Sequence, residues 1–458
     1  MSEGRTKLRA IINKTNNKAM PVYRESGGSI LYDVVKVQTC SGQPLEVTTT
    51  TTKPVQITTA GTPASDAFGR ARVSAPLTLF DSSHRYNDNE LWATATGVSS
   101  DATFNSDEGL VDLNVPTTSG GYVIRETKKV FSYQPGKSLL VLNTFAMNPA
   151  QDNLRQRVGY FNDANGIYVE LNDSVLSFVE RSSVIGTTTE TKVSQNDWNI
   201  DPMDGTGPSG LTLDISKAQI FWMDIEWLGL GTVRLGFVID GVFVHCHSSH
   251  HANKIASTYI TTATLPLRYE ITNLDTTASV STLKQVCSTV ISEGGYELRG
   301  DQLGVGTPVN AARDLTATGI PYPIVSIRLK SSPDRLDAVV IPTATSILGI
   351  GNNAIFEWAL KRGGTISGGT WTSAGTNSAV EYNLSGVTLS GATTLAKGYI
   401  SSTAQSTAPL NILKEALFNF QLRRDGLTGT PENFTLTLQT KVAGDDVYAA
   451  LDWEEISR

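Results

Sequence analysis

The strongest constraint on the fold is a run of short apolar segments between residues 122 and 247, separated by very short polar turns. Asn165-Gly166, Asn172-Asp173 and Asp240-Gly241 each stand between two such segments. Asn, Asp and Gly adopt the positive φ angles of tight hairpins, so each pair predicts two antiparallel strands joined directly. This succession predicts an all-β fold whose main part is a large antiparallel β-sandwich, of jelly-roll or lectin-like type.

Composition agrees with a strand-rich fold and argues against several classes of protein. Of the 458 residues, 95 are Ser or Thr, 40 are Gly and only five are Met, a balance that favours strands and turns over helices. The net charge is −7, which argues against nucleic acid as a partner. No stretch approaches 18 consecutive apolar residues, and no signal peptide is readable at the start, so no membrane span is expected.

Changes in sequence texture divide the chain into four regions. In chain order they are an N-terminal attachment arm (1–70), an antiparallel β-sandwich domain (71–300), a linker rich in Gly, Thr, Ala and Pro (301–323) and a smaller C-terminal β-domain (324–458). Within the arm, apolar patterning predicts strands at Ile30–Val37 and Val55–Ile57. Pro409–Phe420, with Pro at its start and apolar residues at helical spacing, is the one helix candidate.

The three cysteines, Cys40, Cys246 and Cys287, are odd in number and far apart in sequence. An even set at regular spacing would have indicated a disulfide framework. The observed set instead predicts reduced, buried thiols in a protein assembled in a cytoplasm.

Four of the five histidines, His245, His247, His250 and His251, fall within seven residues. On a strand, His245 and His247 would point to the same face, with the other two returning from the following turn, a geometry that suits zinc or nickel. The segment lacks a paired Cys or carboxylate motif, and histidines at a strand end also serve in packing and hydrogen bonding. Both interpretations stay open, and no metal or cofactor is assigned.

Asp224 and Glu226 stand two residues apart on a predicted strand and would share one face. Sandwich glycosidases of the laminarinase type carry Glu, Asp and Glu at alternate positions of such a strand, but Trp222 occupies the nucleophile position here. We therefore expect no catalytic residues and no enzyme. The two acids are expected to pair with nearby bases, such as Arg234 across the hairpin.

Two tryptophans, Trp198 and Trp371, lie in predicted loops, where an aromatic ring can stack on a sugar or pack in the core. Basic residues cluster modestly in the sandwich region, at Arg157 and Arg181 among others, and acids such as Glu170 and Glu180 are interleaved with them. The rings motivate a glycan-binding function, whereas the balanced charges argue against phosphate binding.

Four blocks of sequence resemble a family of virion structural proteins of tailed bacteriophages, frequent in marine and cyanobacterial phages. They are FGRARVSAPLTLFDSSHRY (68–86), RVGYFNDANGIYVEL (157–171), the segment 207–241, and GGTWTS with SAVEYNLSG (368–373 and 378–386). The resemblance implies a structural component of the virion, assembled in the host cytoplasm, with other virion proteins as partners.

Within a virion, such a chain would be an exposed, oligomeric fibre, decoration or adaptor protein on the tail, neck or head, with a trimer as one arrangement. A glycan-binding module for a host receptor is the alternative function. A β-sandwich glycoside hydrolase is a second alternative, and Trp222 argues against it.

Overall fold

The computed structural model describes residues 32–38, 44–50, 56–57, 75–403 and 418–457. Regular structure in these residues is nearly all β-strand, with two short 3₁₀ helices at Gln195–Asp197 and Phe418–Phe420. The predicted all-β class is therefore confirmed. The helix predicted at Pro409–Phe420 lies outside the described residues except for its last three. No helix in the described ranges is long and apolar enough to cross a membrane.

The chain divides into two units, and the first spans residues 1–74. Its described strands are β1 (Tyr32–Gln38), β2 (Pro44–Thr50) and β3 (Gln56–Ile57), which pair antiparallel in the order β1-β2-β3. Strands β1 and β3 confirm the predictions at Ile30–Val37 and Val55–Ile57. Strand β2 was not predicted, because it ends in a run of threonines that lacks apolar alternation. That this unit attaches the protein to a partner stays a prediction.

The second unit, residues 75–458, begins with fifteen strands that build two antiparallel sheets. The strands are β4 (Leu77–Ser83), β5 (Trp92–Thr96), β6 (Asp101–Asn105), β7 (Leu110–Val115), β8 (Tyr122–Thr127), β9 (Leu139–Ala146), β10 (Leu154–Phe161), β11 (Gly166–Asn172), β12 (Val175–Ser182), β13 (Thr189–Ser194), β14 (Gln219–Ile225), β15 (Val233–Ile239), β16 (Val242–Ser249), β17 (Leu267–Asn273) and β18 (Ser281–Ser292). A seven-stranded sheet has the order β13-β12-β11-β10-β17-β8-β5. An eight-stranded sheet has the order β16-β15-β14-β9-β18-β7-β6, with β4 paired to β18.

The predicted turns join these strands. Asp173 connects β11 to β12 with a φ of 53°, and Asp240 and Gly241 connect β15 to β16 with φ values of 52° and 76°. Two successive residues with positive φ match the right-handed twist of the flanking strands, which explains why Asp-Gly stands there.

The inner faces of the two sheets form one apolar core, which confirms the sandwich. Tyr269 and Val158 come from the seven-stranded sheet, and Phe145, Phe221 and Phe237 from the eight-stranded sheet; all are at most 1% exposed. Alternate strand residues face this core and the intervening ones face outward. Any site outside the core is therefore formed by the outward-facing residues.

Cys246 is a free, buried thiol, and burial raises its pKa to about 12. Cys287 is also free but exposed, so the prediction of a buried thiol is wrong there. This residue lies on β18 on the outer side of the eight-stranded sheet, facing away from the core. Cys40 lies outside the described residues.

The remaining strands form a second group of sheets. They are β19 (Asp301–Gly306), β20 (Arg313–Leu315), β21 (Tyr322–Leu329), β22 (Val339–Ile350), β23 (Ile355–Arg362), β24 (Thr365–Ser367), β25 (Thr372–Ser373), β26 (Val380–Asn383), β27 (Thr388–Ser390), β28 (Thr393–Ser401), β29 (Arg424–Asp425), β30 (Thr430–Pro431), β31 (Phe434–Thr440) and β32 (Asp445–Ser457). A six-stranded sheet has the order β25-β26-β21-β31-β23-β28. A smaller sheet is organised around β32, which pairs with β19, β20 and β22. Trp453, Phe356 and Leu436 lie in a second apolar core.

Residues 301–323, predicted as a linker, contribute two of these strands, β19 and β20. Gly304 and Gly306 lie on β19, where a Cβ would meet Asp452 and Ala450 of β32 at 2.2 and 3.0 Å. Glycine in a strand interior marks this kind of close approach. The same glycines gave the sequence its linker-like texture.

Candidate functional site

The outer face of the seven-stranded sheet carries a continuous set of ion pairs, which we call the charged face. Its members are Glu126, Arg157, Glu170, Arg181, Glu190, Lys192, Arg268 and Glu270. Arg157 on β10 stands opposite Glu170 of β11 and Glu270 of β17. Its guanidinium lies 2.7 Å from Glu170 and 3.5 Å from Glu270. Opposite charges on neighbouring strands thus alternate across the sheet.

Two aromatic rings lie beneath the arginines of this face. Phe161 and Tyr168 pack with ring centroids 4.3 Å apart. The Arg181 guanidinium carbon lies 5.1 Å from the Tyr168 centroid, and that of Arg268 lies 5.6 Å from the Phe161 centroid. Cation–π contact therefore adds to the ion pairs in holding the guanidinium groups in place.

Glu190 on the edge strand β13 closes one end of the charged face. It accepts hydrogen bonds from the Tyr168 hydroxyl at 2.7 Å and from Arg181 Nη2 at 2.8 Å. Partial burial opposes ionisation, but these hydrogen bonds and the charge of Arg157 lower the pKa of Glu190 to about 2. The carboxylate is therefore ionised at neutral pH and cannot act there as a proton donor.

Glu126 on β8 closes the other end and joins the charged face to the C-terminal strands. Its carboxylate lies 3.2 Å from Arg268 and 2.8 Å from Arg424 of β29. Arg424 also donates to the Thr127 carbonyl at 2.6 Å and lies 3.0 Å from Asp337. Burial raises the pKa of Glu126 despite the two arginines. We call these contacts the seam.

Only part of this arrangement could be predicted from the sequence. The predicted neutralisation of Arg157 by an interleaved acid is confirmed by its pair with Glu170. Arg268, Glu270 and Arg424 were missed, because the strands that bring them to Arg157 and Glu126 lie more than a hundred residues away in sequence. Strand order, which a single sequence does not reveal, decides these contacts.

The histidine cluster does not assemble. The register of β15 and β16 shifts between Leu235 and Gly236, a β-bulge that makes Cys246 the extra residue. His245 consequently lies against Trp222, with ring centroids 5.8 Å apart, while His247 lies against the core residue Phe178 at 6.4 Å. The expectation that both histidines share one face is wrong, because a bulge breaks the two-residue alternation.

The two following histidines are also engaged separately. His250 lies 3.2 Å from the Thr232 hydroxyl. His251 bonds the Gly231 carbonyl at 2.6 Å and Glu180 at 2.8 Å, and its ring stacks on Tyr259 at 4.0 Å. In the part of the chain that the structure describes, no three His, Cys, Asp or Glu side chains are grouped to hold a metal ion.

Asp224 stands opposite Arg234 on the β14–β15 hairpin and forms an ion pair with it, which confirms that predicted pairing. Trp222 lies on the same outer face, and its ring packs 5.5 Å from that of Phe243. Glu226 follows the end of β14, where its backbone N–H donates to Thr232. Because Asp224 is paired with Arg234, it has the environment of a structural carboxylate.

The two candidate tryptophans have different surroundings. Trp198 is 4% exposed and stacks on Phe178 at 4.1 Å, so it belongs to the sandwich core and its assignment as a possible sugar platform is wrong. Trp371 is half-buried beside β25, with the Arg328 guanidinium carbon 3.9 Å from its ring centroid. Arg328 is fixed in turn by Glu381 at 2.6 Å.

The outer face of the six-stranded sheet contains a polar groove of about 100 Å³, which we call the C-terminal groove. Residues of β23, β28 and β31 line it, and so does the segment before β21; they are Pro321, Glu357, Ala359, Lys361, Thr394, Lys397, Thr437 and Gln439. The groove could not be recognised from the sequence, because most of its lining residues look like ordinary outward-facing positions of polar strands.

No family model matches the sequence, and no curated protein gives a significant match. Among solved structures, a prokaryotic β-1,3-1,4-glucanase (lichenase) derived from a mouse hindgut metagenome is 12% identical, with 47% of this chain and 98% of that chain covered and a TM-score of 0.31. The CBM2 module of the evolved Dit of Lactobacillus casei BL23 phage J-1 is 7% identical, with 49% and 100% covered and a TM-score of 0.33. The carbohydrate recognition domain of Emp47p is 9% identical, with 50% and 99% covered and a TM-score of 0.29. Similarity at this level assigns no function to this chain.

Proposed function

We propose that this chain is a non-enzymatic structural component of a tailed-phage virion, an exposed oligomeric fibre, decoration or adaptor protein on the tail, neck or head. The observation that carries the proposal is the seam, in which Arg424 links the C-terminal strands to Glu126 of the sandwich. A buried arginine with three partners connects the two groups of sheets. Parts joined by buried contacts suit a component that bears load in an assembly.

The use of charge within the body supports the same proposal. Three of its charged side chains are each at most 5% exposed, namely Arg157, Arg268 and Glu270. Glu270 forms ion pairs with both arginines. A surface with few uncompensated charges and many hydroxyl groups packs readily against other protein, as a symmetric assembly requires.

The eight-stranded sheet offers a surface for such contacts. Its outer face has a shallow depression lined by Ser82, Leu142, Thr144, Ile220 and Ser288, among others. Ile220 is 38% exposed there, in a ring of small polar side chains. An apolar centre with a polar rim is the usual composition of a protein–protein interface.

The resemblance to virion structural proteins rests on segments that form the body. Residues 157–171 fold as the β10–β11 hairpin, and 207–241 contain the β14–β15 hairpin. The segment 378–386 includes β26 of the six-stranded sheet. These segments supply core and charged-face residues, so the similarity concerns the framework of the protein.

Particles of the phage that encodes the chain test the proposal directly. We expect mass spectrometry of density-purified particles to detect the chain at fixed stoichiometry, and immunogold labelling to mark one location on every particle. Particles that lack the chain would overturn the proposal. Release of new reducing ends from a polysaccharide by the purified protein, abolished in Asp224→Ala, would overturn its non-enzymatic part.

A further inference from the structure

The C-terminal groove owes its depth to two small residues on neighbouring strands. Ala359 on β23 stands opposite Thr437 on β31, and the Thr437 hydroxyl donates to the Ala359 carbonyl at 3.2 Å. Both residues are buried. Longer side chains rise around them on the same outward face, so the sheet surface is hollow at this point.

The end of the groove near β21 is closed by the chain segment before that strand. Gly319 donates its backbone N–H to the Thr440 carbonyl at 3.1 Å, which ties the segment to the end of β31. Pro321 then lines the groove from that side. Because a proline ring has a restricted backbone and no N–H, this wall is stiff and requires no hydrogen-bond partner.

The rim offers hydrogen-bonding groups of both kinds. Lys397 lies 2.8 Å from Glu357 across the β23–β28 pair, and this contact lowers the pKa of Glu357, so its carboxylate is ionised. Gln439 and Thr394 add an amide and a hydroxyl. Lys361 forms no salt bridge among the residues that the structure describes, although its charge also helps to lower the pKa of Glu357. Two lysines and one glutamate give the groove a local charge of +1, in a protein whose net charge is −7.

An exposed aromatic ring stands at the rim. Tyr399 follows Lys397 by two residues on β28, so it shares the outward face, and it pairs in register with Glu357. Its side chain is 67% exposed. Flat, exposed rings beside polar groups are suited to ligands with one apolar face and several hydroxyl groups.

We propose that the C-terminal groove binds an acidic saccharide of the uronate class. The sugar ring stacks on Tyr399, its hydroxyl groups bond Glu357, Gln439 and Thr394, and its carboxylate pairs with Lys361. A groove of about 100 Å³ is smaller than the roughly 300 Å³ of a drug-sized site, so it takes in at most one sugar unit and leaves the rest of the saccharide outside. A peptide ligand is disfavoured, because the groove has no apolar pocket for a side chain.

Titration calorimetry of the full chain with trigalacturonate tests this inference, and maltotriose serves as a neutral probe of equal length. We expect saturable binding of trigalacturonate that weakens with added salt, because a charge pair contributes to it. Tyr399→Ala and Lys361→Gln should each weaken binding by about tenfold. Tyr86→Ala and Lys217→Gln, which remove an exposed tyrosine and an exposed lysine elsewhere, should leave it unchanged.

Three results would overturn the inference. The first is absence of saturable binding at about 10 mM sugar, the weakest range in which a specific site is still expected. The second is equal affinity for maltotriose, and the third is unchanged affinity in Tyr399→Ala. None of these results bears on whether the chain is found in particles, so the inference and the virion proposal succeed or fail separately.

Discussion

Arg424 Nη2 lies 2.8 Å from Glu126 Oε1, and both side chains are almost fully buried, although Glu126 belongs to the seven-stranded sheet and Arg424 to the C-terminal strands. Neither charge is solvated, so each depends on the other and on Arg268 and Asp337. A buried pair is weak evidence of net stability, but removal of one partner is costly. The seam therefore couples the folding of two parts of the chain that are far apart in sequence.

Replacement of the seam arginine, in Arg424→Gln, should lower the free energy of unfolding by about 3 kcal/mol, because the buried Glu126 loses the nearer of its two arginines and keeps only Arg268. Urea unfolding followed by tryptophan fluorescence measures the change. Arg299 forms an ion pair with Glu297 and its side chain is 76% exposed; Arg299→Gln should have no measurable effect. An Arg424→Gln protein as stable as the wild type would contradict the coupling.

Glu190 should make stability depend on acid pH. Its pKa is lowered from 4.5 in the unfolded chain to about 2 in the folded protein, so its contribution is complete above pH 4.5 and is lost as pH falls through the folded value. The difference corresponds to about 3 kcal/mol at neutral pH. We expect wild type and Glu190→Gln to differ by this amount at pH 7 and by roughly half of it at pH 3.

The matched control for that experiment is Glu297→Gln, which removes an exposed carboxylate outside the charged face. Its stability should follow that of the wild type at both pH values. A gap between wild type and Glu190→Gln that stays constant from pH 7 to pH 3 would mean that Glu190 stabilises the fold by packing and not through its charge.

The two tryptophans that looked equivalent in sequence should respond differently to truncation. Trp198→Ala removes a stacked ring from the sandwich core and should cost about 3–5 kcal/mol. Trp371→Ala removes a half-buried ring that contacts Arg328 and should cost less than about 1.5 kcal/mol. Thermal unfolding of both variants checks this, and equal losses would place Trp371 in a core role.

The same pair of tryptophans shows which features could be predicted from the sequence. A turn such as Asp240-Gly241 depends only on the backbone angles of adjacent residues, so the hairpins and the all-β class could be predicted. Burial of Trp198 depends on which strand packs beneath its loop, and the opposite orientations of His245 and His247 depend on a bulge. Both are tertiary properties, which local patterning does not report.

His251 should add a pH dependence of the opposite sign. Burial lowers the pKa of His251, but the hydrogen bonds to Glu180 and to the Gly231 carbonyl, together with the charge of Glu180, outweigh burial and raise the pKa above 6.5. The stabilisation is therefore complete below pH 6.5 and is lost as pH rises through the folded value. We expect Glu180→Gln to lose about 1–2 kcal/mol relative to wild type at pH 5.5 and much less at pH 8.5, measured by urea unfolding. Glu297→Gln, which removes an exposed carboxylate paired with the exposed Arg299, is the control and should show no such difference between the two pH values. Equal losses at both pH values would show that His251 stays neutral in the folded protein.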